Sequence, residues 1–205
     1  MEQRPARPTI AQIREVSQPP SVTGRSNAEH WIADLYLRKI SPYVTRILLR
    51  TPITANGVTW LMILVGASIG PALLIQGWLG IALALVLSHK QMLIDCCDGE
   101  VARWRDTKSP MGIFLDKLGH YGAESLIPIC FGLRLADWPN QPITSSIYPY
   151  LGALLAVLII INKALNDAVH VARAFSGLPK LVDAKGVNLP RKGLLLFARK
   201  AFNFL

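Results

Sequence analysis

Cysteine is scarce in this chain: Cys96, Cys97 and Cys130 are the three present, and they are scattered. That excludes a disulfide framework and a zinc-finger spacing, and leaves them to pack as small apolar residues. The first 30 residues lack an apolar run of the kind a secretory signal needs, so no signal peptide is expected. No internal repeat is apparent. The connections 77–80 and 136–146 carry no Lys or Arg at all, although the chain has 22 of them against 13 Asp and Glu.

What is there is apolar. Of 205 residues, 51% are hydrophobic, and the mean hydropathy is +0.33. These values describe an all-α, polytopic transmembrane helix bundle. Four spans are expected, over 57–76, 79–101, 111–135 and 147–166, each close to the roughly 20 residues a bilayer requires. Pro71 and Pro128 fall inside them, which membrane helices tolerate.

The excess of positive charge follows the topology. Residues 1–56 hold eight Lys/Arg, residues 103–108 three, and the stretch from Arg173 to Lys200 seven. The bias towards these segments predicts a multi-pass protein with its N terminus, the Arg103 loop and its tail in the cytoplasm. It also favours anionic lipid headgroups as neighbours. Nucleic acid is not expected as a partner, because topology already accounts for the net charge of +9.

Residues 1–25 are polar, rich in Pro and Arg and without periodicity, and read as a flexible cytoplasmic tail. Residues 26–205 read as one membrane domain. It opens with an amphipathic segment from Asn27 to about Leu49, in which Trp31, Leu35, Ile40, Val44 and Leu48 fall along one side. This predicts a helix lying at the membrane interface, kinked or divided by Pro42.

The chemistry concentrates between residues 95 and 120. If the segment is helical, Asp95, Asp98 and Ala102 share one face, and Gly112, Asp116 and His120 share a face of the next helix. Ser109 suits an N-cap and Pro110 a first turn. A helical hairpin would bring Asp95, Asp98 and Asp116 together at one membrane surface. Carboxylates there are expensive unless they hold something, and a hard divalent cation is the simplest occupant. Mg²⁺ or Mn²⁺ ions would let the acids bridge to a polyanionic diphosphate. Gly99, Ala102 and Gly112 would allow close approach of a nucleotide or phosphate, and Arg103 and Arg105 could steady phosphate oxygens. The plain alternative is a charged loop whose acids pair with its own bases.

These residues resemble the signature of the CDP-alcohol phosphotransferase family of membrane enzymes, D-x2-D-G-x2-A-R-x8-G-x3-D-x3-D. The chain matches from Asp95 through Asp98, Gly99, Ala102, Arg103 and Gly112 to Asp116. A weaker resemblance extends to the amphipathic segment and to Thr54–Thr59. The resemblance implies transfer of a substituted phosphate from a CDP-linked donor, CDP-diacylglycerol first among them, to an alcohol, with release of CMP in phospholipid biosynthesis. It implies Asp95, Asp98 and Asp116 as metal ligands for two Mg²⁺ or Mn²⁺ ions. It also implies that Gly99, Ala102 and Gly112 flank the CMP portion, with Asn56 and Thr59 near the nucleotide. It leaves room for a homodimer. Six membrane helices are usual in such proteins, so this chain resembles a member lacking its last helices.

The last Asp of the signature is His120 here. In the family that Asp lies near the metals and serves as the base for the acceptor hydroxyl. Histidine can be base or ligand, and Glu124, one turn further on, could fix its tautomer. The alternatives are a base from elsewhere in the chain or a lost catalytic group. In the fourth span, Asn162, Asn166 and Arg173 can share one face, as can Lys163, Asp167 and His170. They read either as an acceptor pocket, with Lys163 or Arg173 on a phosphate, or as interfacial residues snorkelling to water. Two rival functions remain. One is a catalytically silent binder of CDP-lipids acting as a scaffold. The other is a transporter, disfavoured because the acids sit at a surface rather than near the midplane.

Overall fold

The computed structural model describes residues 4–5, 7–23 and 36–179. Among these residues every regular element is helical, and no strand occurs. Helix α1 spans Ile10–Ser17, α2 Pro20–Thr23, α3 Arg38–Leu48, α4 Ala55–Leu74, α5 Trp78–Arg105, α6 Pro110–Leu135 and α7 Tyr148–Phe175. A short 3₁₀ turn, Ile143–Ser145, precedes α7. Helix α4 lies against both α5 and α6, α6 carries α7, and α1 and α3 pack on α5.

Helices α4 and α6 begin where short polar side chains satisfy free backbone N–H groups. The Thr54 hydroxyl accepts from Gly57 N at 3.0 Å. The Ser109 hydroxyl accepts from Gly112 N at 3.0 Å, with Pro110 at the first helical position. Helix α5 ends at Asp106, whose φ of 53° is the left-handed conformation that Asp tolerates better than most residues. The loop between α5 and α6 is therefore residues 106–109 alone, shorter than the expected 103–110. The stretch from Asp95 to Arg105 is continuous helix.

Three helices, α4, α5 and α7, are long and apolar enough to cross a membrane by length and composition. Helix α6, expected as a fourth span over 111–135, is equally long but does not meet that hydropathy. The reason is its polar seam, which includes Asp116, Lys117, His120 and Glu124. Members of that seam bond neighbouring helices: His120 reaches Asp95 on α5, and Lys117 and Glu124 reach Asp167 and Lys163 on α7. The fourth expected span is also too short. Helix α7 continues to Phe175, which puts Lys163, Asp167 and Arg173 on one helix. Its close seating on α6 depends on small residues. A Cβ on Gly152 would lie 2.3 Å from Pro128 O, and one on Gly132 would lie 2.4 Å from Tyr148 O. At the other end of the bundle Arg134 ties the α4–α5 turn, donating to Leu73 O, Ile75 O and Gly77 O at 2.6–2.7 Å.

The N-terminal segment departs from expectation. Residues 10–17, placed by sequence in a flexible tail, form α1 with a capping box. Thr9 and Gln12 exchange side-chain to backbone bonds at 2.8 and 3.2 Å. Ile13 and Ser17 of α1 are fully buried. Helix α3 is also intact through Pro42, which does not divide it. A proline removes the donor that would serve the carbonyl four residues back. Gln18 Nε2 replaces that donor, bonding Arg38 O at 2.8 Å. Trp31 and Leu35 of the expected stripe lie outside the described residues. Within α3, the inward face is Ser41, Pro42 and Thr45, while Ile40, Tyr43 and Ile47 are exposed.

The polar inward face has one cause. Glu100 of α5 is completely buried and accepts from Ser41 Oγ at 2.5 Å, Thr45 Oγ1 at 2.6 Å and Gln18 Nε2 at 2.8 Å. Arg38 lies 3.9 Å away. Hydroxyl and amide donors make burial of this carboxylate tolerable, and they dock α3 and the residue after α1 on α5. Cys96, Cys97 and Cys130 are free and buried, as small apolar packing residues should be.

Candidate active site

Helices α5 and α6 meet along a cluster of ionisable groups. Asp95 and Asp98 stand one turn apart on α5, and Asp116 and His120 one turn apart on α6. His120 Nε2 lies 3.2 Å from Asp95 Oδ1 and 3.5 Å from Asp116 Oδ1. One ligand atom from each of Asp95, Asp116 and His120 falls within 4.8 Å of the others. All three residues are half-buried. Two carboxylate oxygens and an imidazole nitrogen at such spacing are a donor set that fits a divalent cation.

Asp98 stands beside this group and takes a bond from the buried hydroxyl of Thr59 on α4, at 2.9 Å. Thr59 is thus tied to the cluster directly, across 39 residues of sequence. Asn56, on the first turn of α4, faces the start of α6: a Cβ on Gly112 would sit 3.1 Å from Asn56 Oδ1. Gly99 lies under the Arg103 guanidinium, where a Cβ would come within 3.0 Å of Nη1. Ala102 is half-buried one turn beyond Asp98 and packs against the cluster of Ala55, Val58 and Val101.

On the far side of His120 the network continues to α7. His120 Nδ1 lies 3.4 Å from Glu124 Oε1, and the same oxygen is 2.8 Å from Lys163 Nζ. Lys163 also stands 6.0 Å from the centre of the Tyr121 ring. A second bridge runs in parallel. Lys117 Nζ is 2.8 Å from Asp167 Oδ1, and Tyr121 donates to Asp167 Oδ2 at 2.6 Å. Between α6 and α7 these groups line a cavity of about 340 Å³, with Asp116 and His120 at one wall and Lys163, Asn166 and Asp167 at the other.

Most residues singled out from sequence therefore converge, while three basic ones bond backbone carbonyls. Arg103 gives its Nε to Ser17 O at 2.6 Å, which fastens α1. Arg105 bonds Ile53 O and, at 2.8 Å, Thr51 O, which fastens the turn before α4. Arg173 bonds Pro179 O at 2.9–3.0 Å and does not line the cavity. An arginine near a helix C terminus meets free carbonyls at once, and these satisfy its fork. Sequence reasoning missed Lys117 and Tyr121 as cavity residues. Their spacing to Glu124, at i+7 and i+3, could have placed them beside His120. Nothing local marked Glu100, because its partners lie 55–82 residues earlier.

Comparison with known proteins gives one family. The family model described as CDP-alcohol phosphatidyltransferase matches residues 52–174, which contain α4 to α7 and every residue of the cluster. No curated protein gives a significant match to the chain.

Proposed function

Since the chain belongs to the CDP-alcohol phosphatidyltransferase family, we propose that it transfers a substituted phosphate from CDP-diacylglycerol to an alcohol acceptor and releases CMP. The coarser statement stands on the family: this is an integral membrane phosphotransferase of phospholipid synthesis. One observation carries the finer reading, the convergence of Asp95, Asp116 and His120 from two helices beside Asp98.

In this reading Asp95, Asp98, Asp116 and His120 hold Mg²⁺ or Mn²⁺. A cation bound there would neutralise the donor's diphosphate and the charge on departing CMP. Thr59 fixes the Asp98 carboxylate beside the cluster, which limits its rotamer search. Asn56, Gly99, Ala102 and Gly112 border the CMP moiety. The cavity between α6 and α7 receives the acceptor, with Lys163 at its wall. The His120–Glu124 pair takes the acceptor's proton as its oxygen attacks the phosphorus bonded to CMP. Lys163 holds Glu124 in place for that task. The distribution of Lys and Arg favours a cytoplasmic face for the site.

The test is CMP release by the purified protein in lipid, with CDP-diacylglycerol, Mg²⁺ or Mn²⁺ and a set of alcohols. Release that needs both metal and one alcohol supports the transferase and identifies the acceptor. Replacing His120 by Ala should cripple turnover, while Asp at that position should retain much of it. An unaffected Ala variant removes His120 from the reaction. A silent CDP-lipid binder is the second reading, favoured by the histidine at the position of the family's last Asp. It predicts metal-dependent nucleotide binding with no CMP released under any alcohol.

A further inference from the structure

The imidazole at residue 120 changes which cation the site should prefer. Its two nitrogens face opposite ways. Nε2 points into the acidic cluster, at 3.2 Å from Asp95 and 3.5 Å from Asp116, while Nδ1 points to Glu124 at 3.4 Å. Glu124 is itself held by Lys163 at 2.8 Å. A ring whose distal nitrogen meets a carboxylate, and whose near nitrogen converges with two carboxylate oxygens, has the arrangement of a metal-ligating histidine.

We infer that His120 is a nitrogen ligand of this site and makes it select a transition-metal ion over Mg²⁺. The inference rests on the metal-site reading above and sharpens it. Mg²⁺ demands near-octahedral geometry with oxygen ligands and keeps its waters, whereas imidazole suits Zn, Cu, Fe and Ni. Mn²⁺, which also accepts carboxylates, is the first-row ion nearest to Mg²⁺ in its demands. Asp95, Asp98 and Asp116 are hard oxygen donors, and an Asp at 120 would complete an oxygen-only set. The histidine replaces one carboxylate, which removes one negative charge and adds one softer donor. Both changes count against Mg²⁺. A nitrogen that holds an ion cannot also take a proton, so within the His120–Glu124 pair the acceptor's proton goes to Glu124, which lines the acceptor cavity.

Mn²⁺ binding to the full chain in lipid nanodiscs tests this without any turnover. Electron paramagnetic resonance counts bound Mn²⁺, titration with Mg²⁺ measures displacement, and pulsed measurements detect nitrogen coupled to the bound ion. The expected result is nitrogen coupling in the wild type and poor displacement by Mg²⁺. In His120→Asp the coupling should vanish and Mg²⁺ should displace Mn²⁺ several-fold more readily. Glu124→Gln should weaken Mn²⁺ binding by roughly 10-fold or more, as loss of an orienting partner does. Bound Mn²⁺ without nitrogen coupling, or an unchanged Mn²⁺ to Mg²⁺ preference in His120→Asp, overturns the inference and leaves a carboxylate metal site standing. Absence of any bound Mn²⁺ overturns the metal site as well. If His120→Asp does not fold, the wild-type nitrogen signal alone decides.

Discussion

Asp95 and Glu100 stand little more than one turn apart on α5 and meet opposite surroundings. Glu100 is fully buried, yet three side-chain donors from α3 and the segment before it satisfy its carboxylate. Asp95 is half-exposed, and its neighbours across the helix interface are Asp116 and an imidazole shared between the two acids. The same chemical group is thus a structural pin on one face, and on the other it shares one imidazole with a second carboxylate. On the proposed metal site, the contrast teaches that burial does not mark the ligating carboxylate. What marks it is the kind of partner. Hydroxyl and amide donors complete a carboxylate, whereas a second carboxylate leaves it needing a cation.

The strongest break of this contrast is Asp98→Asn. It keeps the shape and the partner Thr59 but removes a charge from the cluster, and CMP release should fall by about 10²–10³ or more. Metal-dependent protection against thermal unfolding should vanish with it, while the unfolding temperature without metal stays close to that of the wild type. Full activity in this variant would remove the carboxylate cluster from catalysis. Glu100→Ala is the opposite case. It strands the Ser41, Thr45 and Gln18 donors in the interior and should cost about 3 kcal/mol or more. Thermal unfolding in lipid should report that loss, and turnover per folded molecule should be little changed. A variant that loses turnover without losing stability would move Glu100 into the site.

Smaller effects sharpen the comparison further. Gly152→Ala places a methyl 2.3 Å from Pro128 O and must push α7 away from α6. A stability loss of about 1–3 kcal/mol is expected. The apparent KM for the alcohol should rise as Lys163 draws back from Glu124, with the donor's KM unaffected. Gln18→Ala should give the least, about 1 kcal/mol, read as faster proteolysis of the segment before residue 23. An effect on metal binding from Gln18→Ala would contradict the separation of the two faces.

Much of this could be read in the sequence. The helical spacing of Asp95, Asp98, Asp116 and His120 placed them on facing stripes, and Ser109 with Pro110 marked the start of α6. The T-x-x-Q capping box at Thr9–Gln12 was also legible, but few apolar residues surround it, and α1 was passed over as tail. Helix α6 was taken for an ordinary span because its apolar residues are numerous. Only the packed bundle shows that its polar seam lies against α5 and α7. The basic residues were the least legible. Arg103, Arg105 and Arg173 all looked available to phosphate, and each bonds a nearby backbone carbonyl instead.

By itself the sequence determined where the apolar helices α4 and α5 lie and which faces of α5 and α6 carry the acids. These are local properties, set by hydropathy over some 20 residues and by the 3.6-residue helical repeat. The tertiary structure alone decided which carboxylate is pinned and which shares an imidazole with a second acid, that Thr59 holds Asp98, and that Lys163 reaches Glu124. A charged side chain has many equally strong partners within a chain. The one it takes depends on which helix faces are packed together, and that is a property of the whole bundle.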